Sequence, residues 1–182
     1  MRAEIRLAGS GGQGIILAAK VLAEAAGIYG GLTVVQSQIY GAAARGELSK
    51  ADVILDDGDI YTLEITNADI MLCLSQEAYD TFGKSVKSDG MIIIDEFYVK
   101  KYERFKKNIF PFQISQSSNE IAGSEIATNI VACGIITVLG GYFSKEYTEK
   151  AVEKNVPKPF LEMNIKALTR GFEMAEQKKN IC

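Results

Sequence analysis

At 182 residues, with 47% apolar and 24% charged positions, the chain is long enough for one well-filled globular domain and is too apolar to be a disordered tail. A net charge of −3 argues against nonspecific binding to nucleic acid, which needs a basic face. There is no histidine, so Ser-His-Asp and Cys-His catalysis and His-ligated metal sites are excluded within this chain.

Glu4 to Ala8 alternates polar and apolar residues and predicts a short first strand. Gly9-Ser10-Gly11-Gly12-Gln13-Gly14 follows, and Ile15 to Ala26 then predicts a helix closed by Gly27. Strand, glycine turn and helix form the opening unit of an open α/β sheet. Glycines at 9, 11 and 14 satisfy G-x-G-x-x-G, a turn that lets backbone amides at a helix N-terminus approach an anion. The same glycines can also serve only close packing of strand on helix.

Leu32 to Val35 predicts a second strand, whereas Gln36 to Leu48 has no strong period. Ser49 to Asp56 alternates and predicts a third strand, ending in the turn Asp56-Asp57-Gly58-Asp59. Those aspartates lack EF-hand spacing and read as a solvated turn. Ala68 to Leu74 predicts a buried strand, with Ser75 as N-cap of a helix through about Phe82. Lys87 to Gly90 reads as a turn, Met91 to Asp95 as a buried strand, and Tyr98 to Lys107 as a helical turn or exposed loop. Asn108 to Ile114 predicts a strand that Pro111 pushes toward an edge.

From Ser118 the pattern is helical. Ile121 to Phe143 predicts one long buried helix. Asn129 and Gly140-Gly141 interrupt it and no basic flank precedes it, so a membrane span is not expected. Lys145 to Lys154 predicts an amphipathic helix. After Pro157 and Pro159, a last helix carries a one-sided stripe of Leu161, Ile165, Leu168, Phe172 and Ala175. The expected fold is a single α/β domain over residues 1–182. It has a mostly parallel, Rossmann-like sheet flanked by helices and a helical C-terminal third.

The candidate sites are few. A dinucleotide fold ends its second strand with a carboxylate for the ribose, but this chain reads Val34-Val35-Gln36-Ser37-Gln38 there, with no carboxylate and no arginine. That weakens an alternative reading as an autonomous nucleotide-binding redox or regulatory module. Arg45 is the only cation between Lys20 and Lys50, and its planar guanidinium suits phosphate or carboxylate. A structural salt bridge in a surface loop is the competing reading. Tyr40 lies near it and can stack or line an interface. Asp95 ends a buried strand, either in a ligand crevice or as the cap of the next turn. Asn129, in an apolar helix, needs partners if buried.

Cysteines stand at 73, 133 and 182 with no C-x-x-C, so the chain cannot by itself hold an iron–sulfur cluster. Their scatter fits a reducing cytoplasm, and Glu4 with the glycine turn occupies the place where a secretory leader would be apolar.

Taken together, Gly9-Ser10-Gly11-Gly12-Gln13-Gly14-Ile15, Tyr40-Gly41-Ala42-Ala43-Ala44-Arg45-Gly46 and the late Asn129 resemble the gamma subunit of 2-oxoacid:ferredoxin oxidoreductases. The resemblance covers nearly the whole chain. Ser75-Gln76-Glu77-Ala78-Tyr79 after the buried strand makes it most similar to the 2-oxoglutarate enzymes. Glu47 departs from the family's second motif, where a glycine is usual, and Ala42-Ala43 replace a common Pro-Glu.

The resemblance implies an enzyme subunit with no catalytic residue or metal of its own, inactive alone. Its complex would convert a 2-oxoacid, coenzyme A and oxidised ferredoxin to acyl-CoA, CO₂ and reduced ferredoxin. Thiamine diphosphate, Mg and iron–sulfur clusters would belong to alpha, beta and delta partner subunits. Gly9, Gly11, Gly12, Gln13, Gly14, Tyr40 and Arg45 would face coenzyme A or those partners. No nucleic acid or membrane is expected as a partner.

Overall fold

The computed structural model describes residues 1–39, 48–106 and 108–180. One six-stranded sheet organises them, in the order β2-β3-β1-β4-β5-β6. The strands are β1 (Arg2–Ser10), β2 (Thr33–Ile39), β3 (Leu48–Asp56), β4 (Ala68–Cys73), β5 (Val86–Asp95) and β6 (Ile109–Phe112). β1, β4, β5 and β6 run parallel, as expected for an α/β domain. β3 is antiparallel to both β1 and β2 and stands between them.

The helices are α1 (Ile15–Glu24), α2 (Gln76–Phe82), α3 (Ile114–Ala122), α4 (Thr128–Gly140), α5 (Lys145–Asn155) and α6 (Leu161–Lys179). Alternation along β1 sends Ile5 and Leu7 to the face covered by α1 and α4, and Arg6 and Ala8 to the face covered by α2. Among the described residues no helix is long and apolar enough to cross a membrane.

On the first face α4 is buried from Thr128 to Thr137. It meets α6 at Gly134 and Gly171. A Cβ on Gly134 would lie 2.9 Å from the Gly171 Cα, and one on Gly171 would run into the Val131 carbonyl oxygen. Two glycines thus bring the helix backbones into contact, and the α6 stripe of Leu168, Phe172 and Ala175 closes around them.

Several expected boundaries move for identifiable reasons. The helix predicted from Ile121 to Phe143 is broken. Gly123 ends α3 with φ +67°, and its N–H reaches the Asn119 carbonyl at 2.9 Å. The Ser118 hydroxyl holds the break, donating to the Ser124 carbonyl at 2.9 Å and accepting from the Ala127 N–H at 3.0 Å. α3 begins at Ile114, earlier than the expected Ser118, because Asp95 caps its first turn.

Gly27 does not close the first helix. The chain continues through a π turn, Ala25–Tyr29, and reverses at Gly30-Gly31. The turn signal at 87–90 marks an irregularity within β5, where Val86 pairs with Ala68 and Met91 with Ile70. Pro111 does lie on an edge strand, β6.

Candidate functional site

The connection leaving β1 goes to α1 on one face, whereas that leaving β4 goes to α2 on the other. The gap between the carboxyl ends of β1 and β4 is therefore a topological switch point, where open α/β sheets present a crevice. The glycine turn occupies it. The Gln13 side chain spans the gap, accepting from the Ser10 N–H at 2.7 Å and donating to the Leu74 carbonyl at 3.0 Å. The Gln13 N–H closes the turn onto the Ser10 carbonyl at 3.1 Å.

Gly9 is buried beneath this bracket, where a Cβ would strike the Gln13 side-chain oxygen. Gly11 and Gly12 are exposed above it. Gly12 and Gly14 adopt φ of +97° and +71°, the left-handed region in which a side chain is strained.

Gly14 caps α1 without any side-chain hydrogen bond, and no acidic residue stands in the first turn. The first intrahelical bond runs from the Ala18 N–H to the Gly14 carbonyl at 3.0 Å. The preceding amides have no acceptor within the helix and carry the positive end of its dipole. Asn129, 4% exposed at the start of α4, donates from Nδ2 to the Gly14 carbonyl at 3.2 Å. A Cβ on Gly14 would sit 2.5 Å from that nitrogen. Asn129 thus finds the partner that its burial requires, and it clamps the turn.

The five glycine-turn candidates are brought together. Tyr40 and Arg45 lie outside the described residues. Their flanks approach the same place: Leu48 pairs with Ser10, and Lys50 pairs with both Ala8 and Ile39.

Asp95 is fully buried at the end of β5 and accepts from the Phe97 N–H at 3.2 Å and the Ser115 N–H at 3.1 Å. Burial raises its pKa above the ordinary carboxylate value, although those bonds oppose the shift. It is a cap, not a ligand pointed into the crevice. The Tyr98 hydroxyl donates to Glu125, 2.8 Å from each carboxylate oxygen, and that bond pushes the phenol up to about 12.

Sequence reasoning missed the Tyr98–Glu125 pair, which spans 27 positions with no local signature. It also missed Arg6–Asp52, although a charge between Ile5 and Leu7 in a strand was a usable signal. Arg6 meets the Asp52 carboxylate through Nε at 2.8 Å and Nη2 at 2.9 Å, and donates to the Ile65 carbonyl at 2.6 Å. Lys50 joins Asp52 at 3.1 Å, and both cations lie over the Phe82 ring.

Cys73 and Cys133 are fully buried, and burial pushes both thiols up, away from the thiolate that ligates metals. Among the described residues no three His, Cys, Asp or Glu side chains form a metal-binding group. Backbone amides at the α1 N-terminus, where no side chain caps them, are groups of the kind that suit a phosphate. A ribose does not fit as in dinucleotide folds. β3 stands between β1 and β2, which moves the end of β2 to about 10 Å from β1, two strand spacings instead of one.

A family model described as pyruvate ferredoxin/flavodoxin oxidoreductase matches residues 4–174. The chain is 39% identical to 2-oxoglutarate synthase subunit KorC of Methanocaldococcus jannaschii, over 97% of this chain and 96% of that one. It superposes with a TM-score of 0.88 on the keto/oxoacid ferredoxin oxidoreductase gamma subunit of Geobacter sulfurreducens, at 43% identity over 97% of this chain and 98% of that one. The same fold recurs at a TM-score of 0.86 and 22% identity in 2-oxoglutarate:ferredoxin oxidoreductase from Magnetococcus marinus, covering 97% of this chain but 31% of that one. The chain belongs to the pyruvate ferredoxin/flavodoxin oxidoreductase family, among its gamma-type subunits.

Proposed function

We propose that the chain is the gamma subunit of a coenzyme A-acylating 2-oxoacid:ferredoxin oxidoreductase and that its 2-oxoacid is 2-oxoglutarate. Identity of 39% and 37% to two 2-oxoglutarate synthase subunits supports that substrate over pyruvate, for which a common gamma subunit is 29% identical. The chain contributes no thiamine diphosphate, Mg or cluster ligand, and it is inactive alone. Alpha, beta and delta subunits supply those groups, which carry the decarboxylation and the transfer of electrons to ferredoxin.

The role of this chain is assembly and shaping of the coenzyme A approach. The observation that carries this reading is the uncapped α1 N-terminus at the switch point, held open by Gln13 and Asn129. Gly11, Gly12 and Gly14 offer amides to a phosphate of coenzyme A, Gly9 and Gln13 shape the turn beneath them, and Tyr40 and Arg45 complete the set assigned to this role. The guanidinium of Arg45 meets a phosphate or a partner carboxylate.

The test is a reconstituted complex containing Arg45→Ala. The expected result is at least ~10-fold weaker coenzyme A binding or weakened assembly, the scale of a lost charge-assisted hydrogen bond. Unchanged coenzyme A affinity, turnover and assembly would refute the role. Viologen reduction by the wild-type complex with several 2-oxoacids identifies the substrate, and preference for pyruvate would overturn 2-oxoglutarate.

A further inference from the structure

The second face of the sheet is crossed by a strap, residues 97–106, that leaves β5 after Asp95 and returns toward β6. Its inner side is firmly held. Val99 is fully buried in the cluster with Ala78, Ile92 and Ile94. The Gln76 Oε1 accepts from the Lys100 and Lys101 amides, both at 2.9 Å, and its Nε2 donates to the Lys101 carbonyl at 2.8 Å. The Tyr102 ring meets Tyr79 edge-on, with centroids 6.5 Å apart.

The outer side has a different composition. Phe105 is 100% exposed and Phe97 54% exposed. Lys100, Lys101, Arg104 and Lys106 are exposed around them, with Glu103 the only carboxylate from Phe97 to Lys106. Lys84 adds a further cation across a cavity of about 340 Å³ lined by Tyr79, Lys101 and Tyr102. Among the described residues no ion pair engages Lys84, Lys101 or Arg104, and Arg104 lies over the Tyr102 ring. A chain of net charge −3 thus concentrates cations and solvated aromatic rings on one pinned segment.

We propose that this strap is a docking surface for a carboxylate-rich surface of a partner subunit, with Phe105 as its apolar anchor. The inference rests on the subunit reading above. Charge complementarity selects an acidic occupant, and aromatic residues beside arginine are the composition of protein interface cores. Nucleic acid is disfavoured because it requires an extended basic face, whereas Asp80 and Glu103 lie within this one. An anionic membrane is disfavoured because stable binding takes more than a few cations and one ring.

The test uses the assembled complex. Acetylation of Lys100, Lys101 and Lys106 is compared between the isolated chain and the complex, and a carbodiimide joins these amines to neighbouring carboxylates. Labelling at least ~5-fold slower in the complex is expected, with amide cross-links to partner Asp or Glu residues. Lys101→Glu/Arg104→Glu and, separately, Phe105→Ser should each weaken assembly at least ~10-fold, and wild-type assembly should weaken with salt. Phe105 touches solvent only, so loss of folding does not confound the second variant.

Equal labelling rates in the isolated chain and the complex, wild-type assembly by both variants, or binding of the strap to anionic vesicles or single-stranded DNA instead would overturn the proposal. A complex that assembles with the strap open overturns this inference alone. A wild-type chain that finds no partner subunit overturns the subunit reading and this inference with it.

Discussion

The two faces of the sheet solve different problems. The first is closed by its own helices: Ile5, Leu7, Ile70 and Leu72 lie under α1 and α4, and α4 and α6 touch through glycine. The second buries charge, with Arg6 and Asp52 only 6% and 4% exposed in their side chains, and its strap leaves Phe105 in solvent. An apolar face needs only volume to be filled, whereas buried charges demand specific partners. The first face is thus held by filled volume and the second by particular partners.

The sharpest way to break this contrast is Asp52→Ala. It leaves the Arg6 guanidinium buried without its carboxylate, and urea denaturation should show a loss of about 3–5 kcal/mol. A loss below about 1 kcal/mol would mean that the pair is effectively solvated and that the second face is not built around it.

Gly171→Ala tests the first face. Forcing a methyl against the Val131 carbonyl should cost about 1–3 kcal/mol in the same assay. Gly12→Ala provides the control, because nothing lies within 4 Å of its added Cβ. Only the left-handed backbone penalises it, by about 1–2 kcal/mol. A loss near zero for Gly171→Ala would show that the close approach to the Val131 carbonyl is not what holds this glycine in place.

Ser75→Ala should cost about 1 kcal/mol, since its hydroxyl accepts the Ala78 N–H at 3.2 Å and caps α2 on the second face.

The smallest expected effect is one of pH. The folded-state pKa of Asp95 is raised, so the stability it contributes is fully present below the unfolded carboxylate pKa and is lost as pH rises through the folded value. Wild type should therefore gain stability relative to Asp95→Asn on acidification. A constant difference between the two curves would show that Asp95 ionises as it does in the unfolded chain.

Much of the fold was legible in local pattern. Alternation marked β1 and β3, the apolar run marked β4, Ser75 announced α2, and the spacing of Leu168, Phe172 and Ala175 named the buried side of α6. The strand–glycine–helix unit likewise located the turn. Two points were illegible because they are decided between distant segments. Antiparallel β3 inserts beside β1 through backbone pairing that has no sequence period. The Arg6–Asp52 pair spans 46 positions and shows as charge in a strand, not as a partnership.

The chain's sequence by itself established what it lacks, with no imidazole and no grouped thiols, and where a tight turn must precede a helix, because glycine adopts those backbone angles at least cost. Only the tertiary structure decided that Gln13 bridges β1 and β4 at the switch point, that Asn129 holds the turn from α4, and that Gln76 and Val99 pin the basic, aromatic strap to the second face. Those relations depend on which strands become neighbours. Strand adjacency is settled by burial of both faces at once, a property of the whole chain and not of any segment.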